Sequence, residues 1–322
     1  MIHAIRLKAP GGADQLEAVT IELPPPARGE VRIRQTAIGV NFLDIYQRRG
    51  EYALPDGIPG VEAVGVVTAV GADVIGLRAG DRIVYAGAPV GAYTSERNLP
   101  AWRGVKLPDG LSDEAVASVF MKGMTAYMLL HRIYPVGRGT TILVHSAAGG
   151  LGQLVTPWAT HLGATVIGTV SSDAKAAIAR TSGAQHVIVG RDADFAGEVA
   201  KLTDGRGVDA AYDGVGGTTL AKTLACVRPF GVVASIGQSG GPIPPIDVSE
   251  LGPRRSIMLG RPSIMGYVNN ADDYHAAAQA VLAALAEGVL QGKGKPYRLS
   301  EAVQAHIDLE AGRTSGALIL VP

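Results

Sequence analysis

Residues 141–152, TILVHSAAGGLG, constrain the fold of this chain more than any other stretch. An apolar and β-branched run ends in the polar pair His145-Ser146 and reads as a short buried strand. It passes into Ala147-x-Gly149-x-x-Gly152, and residues 153–162 then have helical texture. Strand, glycine-rich turn and helix in that order form the first βα unit of a dinucleotide-binding fold. The turn lets the chain reverse, and the next position lacks bulk so that the backbone can approach a pyrophosphate. The last glycine lets the helix pack on the strand, and the helix N-terminus aims unpaired N–H groups at the phosphates. Taken alone, the pattern also describes a tight turn with no ligand, so the rest of the chain has to decide.

The residues that follow supply the context. Residues 164–170 form a second short apolar strand, and Ser171-Ser172-Asp173-Ala174-Lys175 stands where strand two of a βαβ unit ends. An Asp or Glu there would bind the ribose 2′-OH of NAD, whereas small polar residues followed by a cation suit the 2′-phosphate of NADP. Ser171, Ser172 and Lys175 fit the second pattern. Asp173 would repel a phosphate, but it reads more simply as an N-cap or first-turn acid of the next helix. Residues 186–189, 208–212 and 231–236 read as strands three to five, alternating with helices at 195–203 and 218–227. Strand four ends at Asp213-Gly214-Val215-Gly216 and strand five at Gly237-Gln238-Ser239-Gly240. With the first turn, that makes three glycine-bearing groups at strand C-termini, where a parallel sheet places its ligand. Residues 256–260 are one more apolar strand.

Residues 1–97 have a different texture. Residues 2–7 and 31–34 alternate, 61–70 is a β-branched run cut by Gly65, and turns at Ala79-Gly80-Asp81 and Gly91-Ala92 lead into further strands. Pro24-Pro25-Pro26 is a loop. Residues 41–50, NFLDIYQRRG, show neither period and read as a short helix or turn before a Pro-containing loop at 52–59. At Ser112 the texture becomes helical, with Asp113 and Glu114 in the first turn and residues 121–134 apolar at helical spacing. Residues 270–287 and 300–311 read as helices. The closing strand, 317–321, breaks the alternation and belongs with the β-rich part. The expected class is α/β, with residues 1–122 and 262–322 forming one domain and 123–261 a nucleotide-binding domain inserted in it.

Charge and cysteine usage exclude several functions. Lys+Arg and Asp+Glu each number 29, so the net charge is zero and no general attraction to nucleic acid or anionic membrane is expected. A single cysteine, Cys226, leaves no intrachain disulfide and no cysteine-rich zinc site, which suits a reducing cytosol. No apolar run approaches membrane-spanning length and the first residues lack a signal-like apolar core, so a soluble cytoplasmic protein is expected.

Several blocks in order resemble the zinc-independent quinone oxidoreductase branch of the medium-chain dehydrogenase/reductase superfamily, with ζ-crystallin among its relatives. They are Ile38-Gly39-Val40-Asn41-Phe42-Leu43-Asp44-x-Tyr46, Pro59-Gly60-Val61-Glu62-x-x-Gly65, Ala79-Gly80-Asp81-Arg82-Ile83 and Lys122-Gly123-Met124-Thr125-Ala126. Ala147-Ala148-Gly149-Gly150-Leu151-Gly152, Arg261-Pro262-Ser263 and Gly312-Arg313-Thr314-Ser315-Gly316 complete the set, so the resemblance covers nearly the whole chain. It implies a Rossmann doubly wound parallel sheet inserted in a GroES-like β-rich catalytic domain, NADPH as cofactor, a small-molecule quinone or activated carbonyl substrate, and a homodimer joined through the Rossmann domains. Zinc-dependent members of the superfamily put a Cys near the position of Asn41 and a Gly-His-Glu run near Gly60-Val61-Glu62. Neither metal ligand stands here, so hydride transfer is expected to rely on cofactor and positioning, with no metal.

The resemblance also implies cofactor contacts. Asn41, Phe42 and Tyr46 fall beside the nicotinamide. Thr125, Gly149, Gly150 and Leu151 follow the pyrophosphate, and Ser171, Ser172 and Lys175 meet the 2′-phosphate. Val215, Ile236, Gly237, Gln238, Ser239, Pro262, Ser263, Ile264 and Arg313 close the remainder. Close relatives often carry a Tyr at the end of strand three; Gly190 stands in that place, and Arg191 is its candidate substitute.

Asn41, Tyr46 and Tyr52 are the candidate catalytic residues. The two tyrosines flank a loop that the family places at the substrate mouth, where a phenol can donate a hydrogen bond to a quinone or enone oxygen as charge develops. Packing with the hydroxyl in solvent is the competing reading. The Asn41 carboxamide can fix the nicotinamide or the acceptor oxygen. Asp44 suits a capping carboxylate as well as an orienting group. His145 reads as a satisfied strand-end histidine rather than a proton relay, and Cys226 as a buried small residue. The function expected is an NADPH-dependent quinone reductase, with a reductase of α,β-unsaturated carbonyls as the alternative. A non-catalytic NADPH-binding structural or RNA-binding protein is a third reading; the Tyr46 loop favours an enzyme, and the neutral charge disfavours RNA.

Overall fold

A computed structural model describes residues 1–253 and 255–322. The chain divides into two compact units, Met1–Met124 with Met265–Pro322, and Thr125–Ile264.

In the second unit six strands lie in the order His186–Val189, Thr165–Val170, Thr141–Val144, Val208–Asp213, Val227–Ser235, Met258–Gly260. Every neighbouring pair is parallel. Numbered along the chain this is 3-2-1-4-5-6, the doubly wound order whose direction reverses between strands one and four. Parallel strands need crossovers, and helices at Gly152–His161, Asp173–Thr181, Phe195–Leu202 and Thr219–Leu224 supply them. The last two of these helices close a core in which Phe195, Val199, Leu220 and Leu224 pack with Leu143, Ile167 and Val233. The fourth helix is shorter than its sequence suggests, because Val227 already pairs with Val208 and opens strand five. Leu220, Leu224 and Val227 keep helical spacing, so strand pairing rather than sequence period decided where the helix stops.

The first unit is built on a seven-stranded sheet running Gly294–Arg298, Ala317–Val321, Glu30–Val40, Glu62–Val70, Arg82–Ala86, Val105–Lys106, with Glu96–Pro100 also paired to Glu30–Val40. All pairs are antiparallel except the first, which is parallel. Ile2–Leu7 and Leu16–Ile21 form a separate two-stranded sheet. Where the sequence suggested a strand after Gly91, only Thr94 makes an isolated bridge, to Ala4, and the strand begins at Glu96. One helix, Asp113–Tyr127, runs unbroken through Met121 and continues as a π-helical turn at Met128–Ile133. The Ser112 Oγ accepts the Ala115 N–H at 3.2 Å and so starts it. Among the described residues no helix is long and apolar enough to cross a membrane.

Candidate active site

Strand one of the second unit ends in a turn built on Ser146, whose φ of 53° places it in the left-handed region. The reversal expected of a glycine is thus made by a serine. The last glycine of the pattern is required for packing, since a β-carbon at Gly152 would stand 2.5 Å from the Ser146 carbonyl oxygen. Residues 149–151 follow the turn and lead into the N-terminus of the helix Gly152–His161.

At the neighbouring end of strand four, the buried Asp213 carboxylate organises the backbone. Its Oδ1 accepts the N–H groups of Val215 and Gly216 at 2.8 and 2.9 Å, and its Oδ2 accepts the Thr223 hydroxyl at 2.8 Å. With its proton given to Asp213, Thr223 accepts from His145 Nε2 at 2.9 Å, and His145 Nδ1 takes the Thr169 hydroxyl at 2.9 Å. Both imidazole nitrogens are therefore engaged, and burial holds the ring neutral by lowering its pKa. Ile236 N–H and Ser239 N–H bond to the carbonyls of Asp213 and Gly214, and Arg261 donates to Gln238 Oε1 at 3.2 Å. These bonds lace Val215, Ile236, Gly237, Gln238 and Ser239 to the segment that precedes Pro262, Ser263 and Ile264. Thr125 lies inside the long helix Asp113–Tyr127.

Strands two and three also leave the sheet side by side. Val170 is in register with Val189, and the Gly190 N–H bonds to the Val170 carbonyl at 2.9 Å, so Ser171-Ser172 and Gly190-Arg191 emerge together. Ser172 caps the helix Asp173–Thr181, its Oγ accepting the Lys175 N–H at 3.4 Å, which leaves the hydroxyl proton available to a ligand. Asp173 is a first-turn acid. Gly190 has a φ of 120°, where a side chain would be strained. Cys226 is buried, and its thiol is pushed up to about 12 by that burial, which leaves it inert as a nucleophile.

In the first unit Asn41 ends the strand Glu30–Val40 and caps the helix Phe42–Arg48. Asp44, at the third helical position, returns the cap by accepting the Asn41 N–H at 2.8 Å. Phe42 and Tyr46 are one helical turn apart, with ring centroids 6.2 Å from each other, and the Tyr52 ring lies 5.9 Å from Tyr46. Asn41, Phe42, Tyr46 and Tyr52 therefore form one patch. Tyr46 is 8% exposed and Tyr52 47%. Arg313 turns toward Asp308, 3.9 Å away.

Two residues join this patch although the sequence reading gave them no role. Asn41 Nδ2 donates to Glu62 Oε1 at 2.8 Å, and Lys122 Nζ stands 3.8 Å from the same oxygen. Both lie in blocks singled out above; a lone carboxylate and a lone ammonium in apolar runs were the available signal.

Beneath the patch, Asp44 Oδ2 also accepts the Tyr93 hydroxyl at 3.1 Å, and Tyr93 Oη is 2.9 Å from His306 Nε2. Burial pushes Asp44 from 3.8 up to about 7, and burial, with Arg48 nearby, pushes His306 from 6.5 down to about 3. A carboxyl raised on folding stabilises the fold in acid, and that contribution is lost as the pH climbs from 3.8 to about 7. A depressed histidine does the reverse: its contribution is present above 6.5 and is lost as the pH falls toward about 3. The two slopes oppose each other. Asp44→Asn removes the first and should make the urea midpoint fall faster than wild type between about pH 6.5 and 4. Parallel midpoint curves would show that Asp44 titrates as an ordinary carboxylate.

Comparison with known proteins gives a consistent setting. Residues 27–117 match the family described as alcohol dehydrogenase GroES-like domain, and residues 150–284 the family described as zinc-binding dehydrogenase. The chain is 41% identical to a 2-haloacrylate reductase of Burkholderia sp, across 100% of this chain and 99% of that protein. It is 38% identical to a quinone oxidoreductase of Pseudomonas aeruginosa, across 100% of both. The crystal structure of Escherichia coli quinone oxidoreductase complexed with NADPH superimposes with a TM-score of 0.96 at 36% identity, covering 99% of this chain and 100% of that one.

Proposed function

Since this chain belongs to the quinone oxidoreductase branch of the medium-chain dehydrogenase/reductase superfamily, we propose that it is an NADPH-dependent quinone reductase that works without a metal. The observation that carries this reading is the emergence of Ser171-Ser172 and Gly190-Arg191 at adjacent strand ends, with Lys175 one turn away. Hydroxyl donors and two cations suit a 2′-phosphate, and the Gly149-Gly150 pair before a helix N-terminus suits a pyrophosphate.

When bound, NADPH supplies a hydride from the nicotinamide C4. The chain's own residues do the rest. Ser171, Ser172, Lys175 and Arg191 hold the 2′-phosphate. Asn41 orients the nicotinamide or the acceptor oxygen, and the Tyr46 hydroxyl donates to that oxygen as negative charge develops on it. Phe42 and Tyr52 flank Tyr46 and keep water away from it.

The metal-free reading rests on donor chemistry. Asn41 offers an amide nitrogen committed to Glu62, and among the described residues no three His, Cys, Asp or Glu side chains gather as a metal site. The similarity to a 2-haloacrylate reductase favours a second reading, reduction of an activated carbon–carbon double bond whose carbonyl oxygen uses the same donors. NADPH oxidation with a panel of quinones and enones, run in chelator, separates these. Quinone turnover undiminished by chelator is expected. Turnover confined to enones would move the assignment to the second reading, and stoichiometric zinc whose removal abolishes activity would overturn the metal-free one.

A cytoplasmic location is part of this reading, and the single, free and buried cysteine supports it, since nothing in it calls for an oxidising compartment. A homodimer joined through the second unit is part of the same reading. There the outermost strand Met258–Gly260 is paired on one side only among the described residues, and Met258, Phe230 and Val248 are 56%, 74% and 76% exposed. An open edge beside apolar side chains suits pairing with a second copy about a twofold axis. Sedimentation should give a dimer, and Met258→Lys a monomer; a monomeric wild type removes this assignment.

A further inference from the structure

Glu62 is fully buried at the start of its strand, and three donors surround its carboxylate. Asn41 Nδ2 lies 2.8 Å from Oε1, the Met121 N–H 2.7 Å from Oε2, and Lys122 Nζ 3.8 Å from Oε1. Lys122 is itself anchored on the Val40 carbonyl at 3.0 Å. Room for the carboxylate comes from Gly39, where a β-carbon would collide with Oε1. An ionised carboxylate can only accept, so it can face only the NH2 end of the Asn41 carboxamide. A neutral group at position 62 reverses this. With Met121 N–H occupying one oxygen, the atom left to face Asn41 is a donor, and the carboxamide has to turn its Oδ1 inward.

We propose that Glu62, held between the Lys122 ammonium and the Met121 N–H, is the positioning residue that decides whether Asn41 presents its donor or its acceptor end to the bound ligand. This rests on the reading that Asn41 holds the nicotinamide or the acceptor oxygen.

Burial raises the pKa of Glu62, and Lys122 is the foremost opposing influence, ahead of Asn41 and the Met121 N–H. Asp44, Tyr85, Tyr93 and Tyr274 also face the carboxylate electrostatically. None of these four carries positive charge, so removing the ammonium leaves burial unopposed by a cation and shifts the Glu62 carboxyl further toward its protonated form.

The test is kcat against pH for Glu62→Gln, Lys122→Met and Lys122→Arg in the full chain, with NADPH affinity measured by fluorescence. Glu62→Gln keeps the shape but points its NH2 at Asn41, and kcat should fall roughly tenfold at every pH. Lys122→Met should be as slow at neutral pH yet recover as the pH rises and Glu62 loses its proton. Lys122→Arg should restore the wild-type profile, and NADPH affinity should change little throughout. If Glu62→Gln and Lys122→Met keep the wild-type kcat and the wild-type pH profile while Asn41→Ala slows hydride transfer, the positioning role is wrong and the reading of Asn41 stands. If Asn41→Ala also transfers hydride at the wild-type rate, both fall together. Glu62→Gln, being isosteric, decides the matter alone should Lys122→Met fail to fold.

Discussion

Lys175→Ala should raise the KM for NADPH by about ten- to a hundredfold and leave that for NADH nearly unchanged. A charge-assisted hydrogen bond to a partly desolvated phosphate is worth roughly 1.5–3 kcal/mol, and NADH has no 2′-phosphate to lose it. The substitution is benign for the fold. Lys175 occupies the first turn of the helix Asp173–Thr181, where its backbone N–H, retained in alanine, meets the Ser172 Oγ. The effect should therefore fall on KM, since the 2′-phosphate is remote from the reacting carbon and its binding is shared by ground state and transition state. Steady-state kinetics with both nucleotides measure it. A wild type that prefers NADH would require Asp173, on the same turn, to be reassigned as a ribose ligand.

The second large effect concerns chemistry rather than binding. Asn41→Ala and Tyr46→Phe should slow single-turnover oxidation of bound NADPH roughly ten- to thirtyfold, about 2 kcal/mol or less, with little change in NADPH affinity. The lower end of the range for a lost transition-state contact is expected because a quinone is already activated. Tyr46→Phe removes only the hydroxyl, and the ring keeps its contacts with Phe42 and Tyr52, so donation is tested apart from shape. Asn41→Ala also removes the hydrogen bond to Glu62. Its effect should accordingly be the larger of the two, and its stability should be compared with wild type before the rate is interpreted. Wild-type hydride transfer in both variants would leave proximity and solvent protonation as the whole of catalysis.

The sheet of the second unit was legible because a parallel strand buried on both faces must be a continuous apolar run, and its crossover must be a helix of opposite texture. Residues 141–144, 186–189 and 208–212 therefore announced themselves, and the glycines and serines at their C-terminal ends marked where a ligand belongs. The first unit was less legible. Gly294–Arg298, with Lys295, Pro296 and Arg298 among its five residues, has no apolar alternation and becomes a strand through its partner Ala317–Val321. Leu16–Ile21 likewise needs Ile2–Leu7 beside it.

By itself, then, the sequence determined the class of fold, the doubly wound order of alternating elements and the chemistry available at the strand ends, because these follow from periodicity and residue type along one segment. Only the tertiary structure decided which buried polar groups meet. Glu62 with Asn41 and Lys122, Asp213 with Thr223 and His145, and Asp44 with Tyr93 and His306 each join residues from separate segments. No local period records such a pairing: a buried donor or acceptor must find a partner, and which one it finds depends on how distant elements pack.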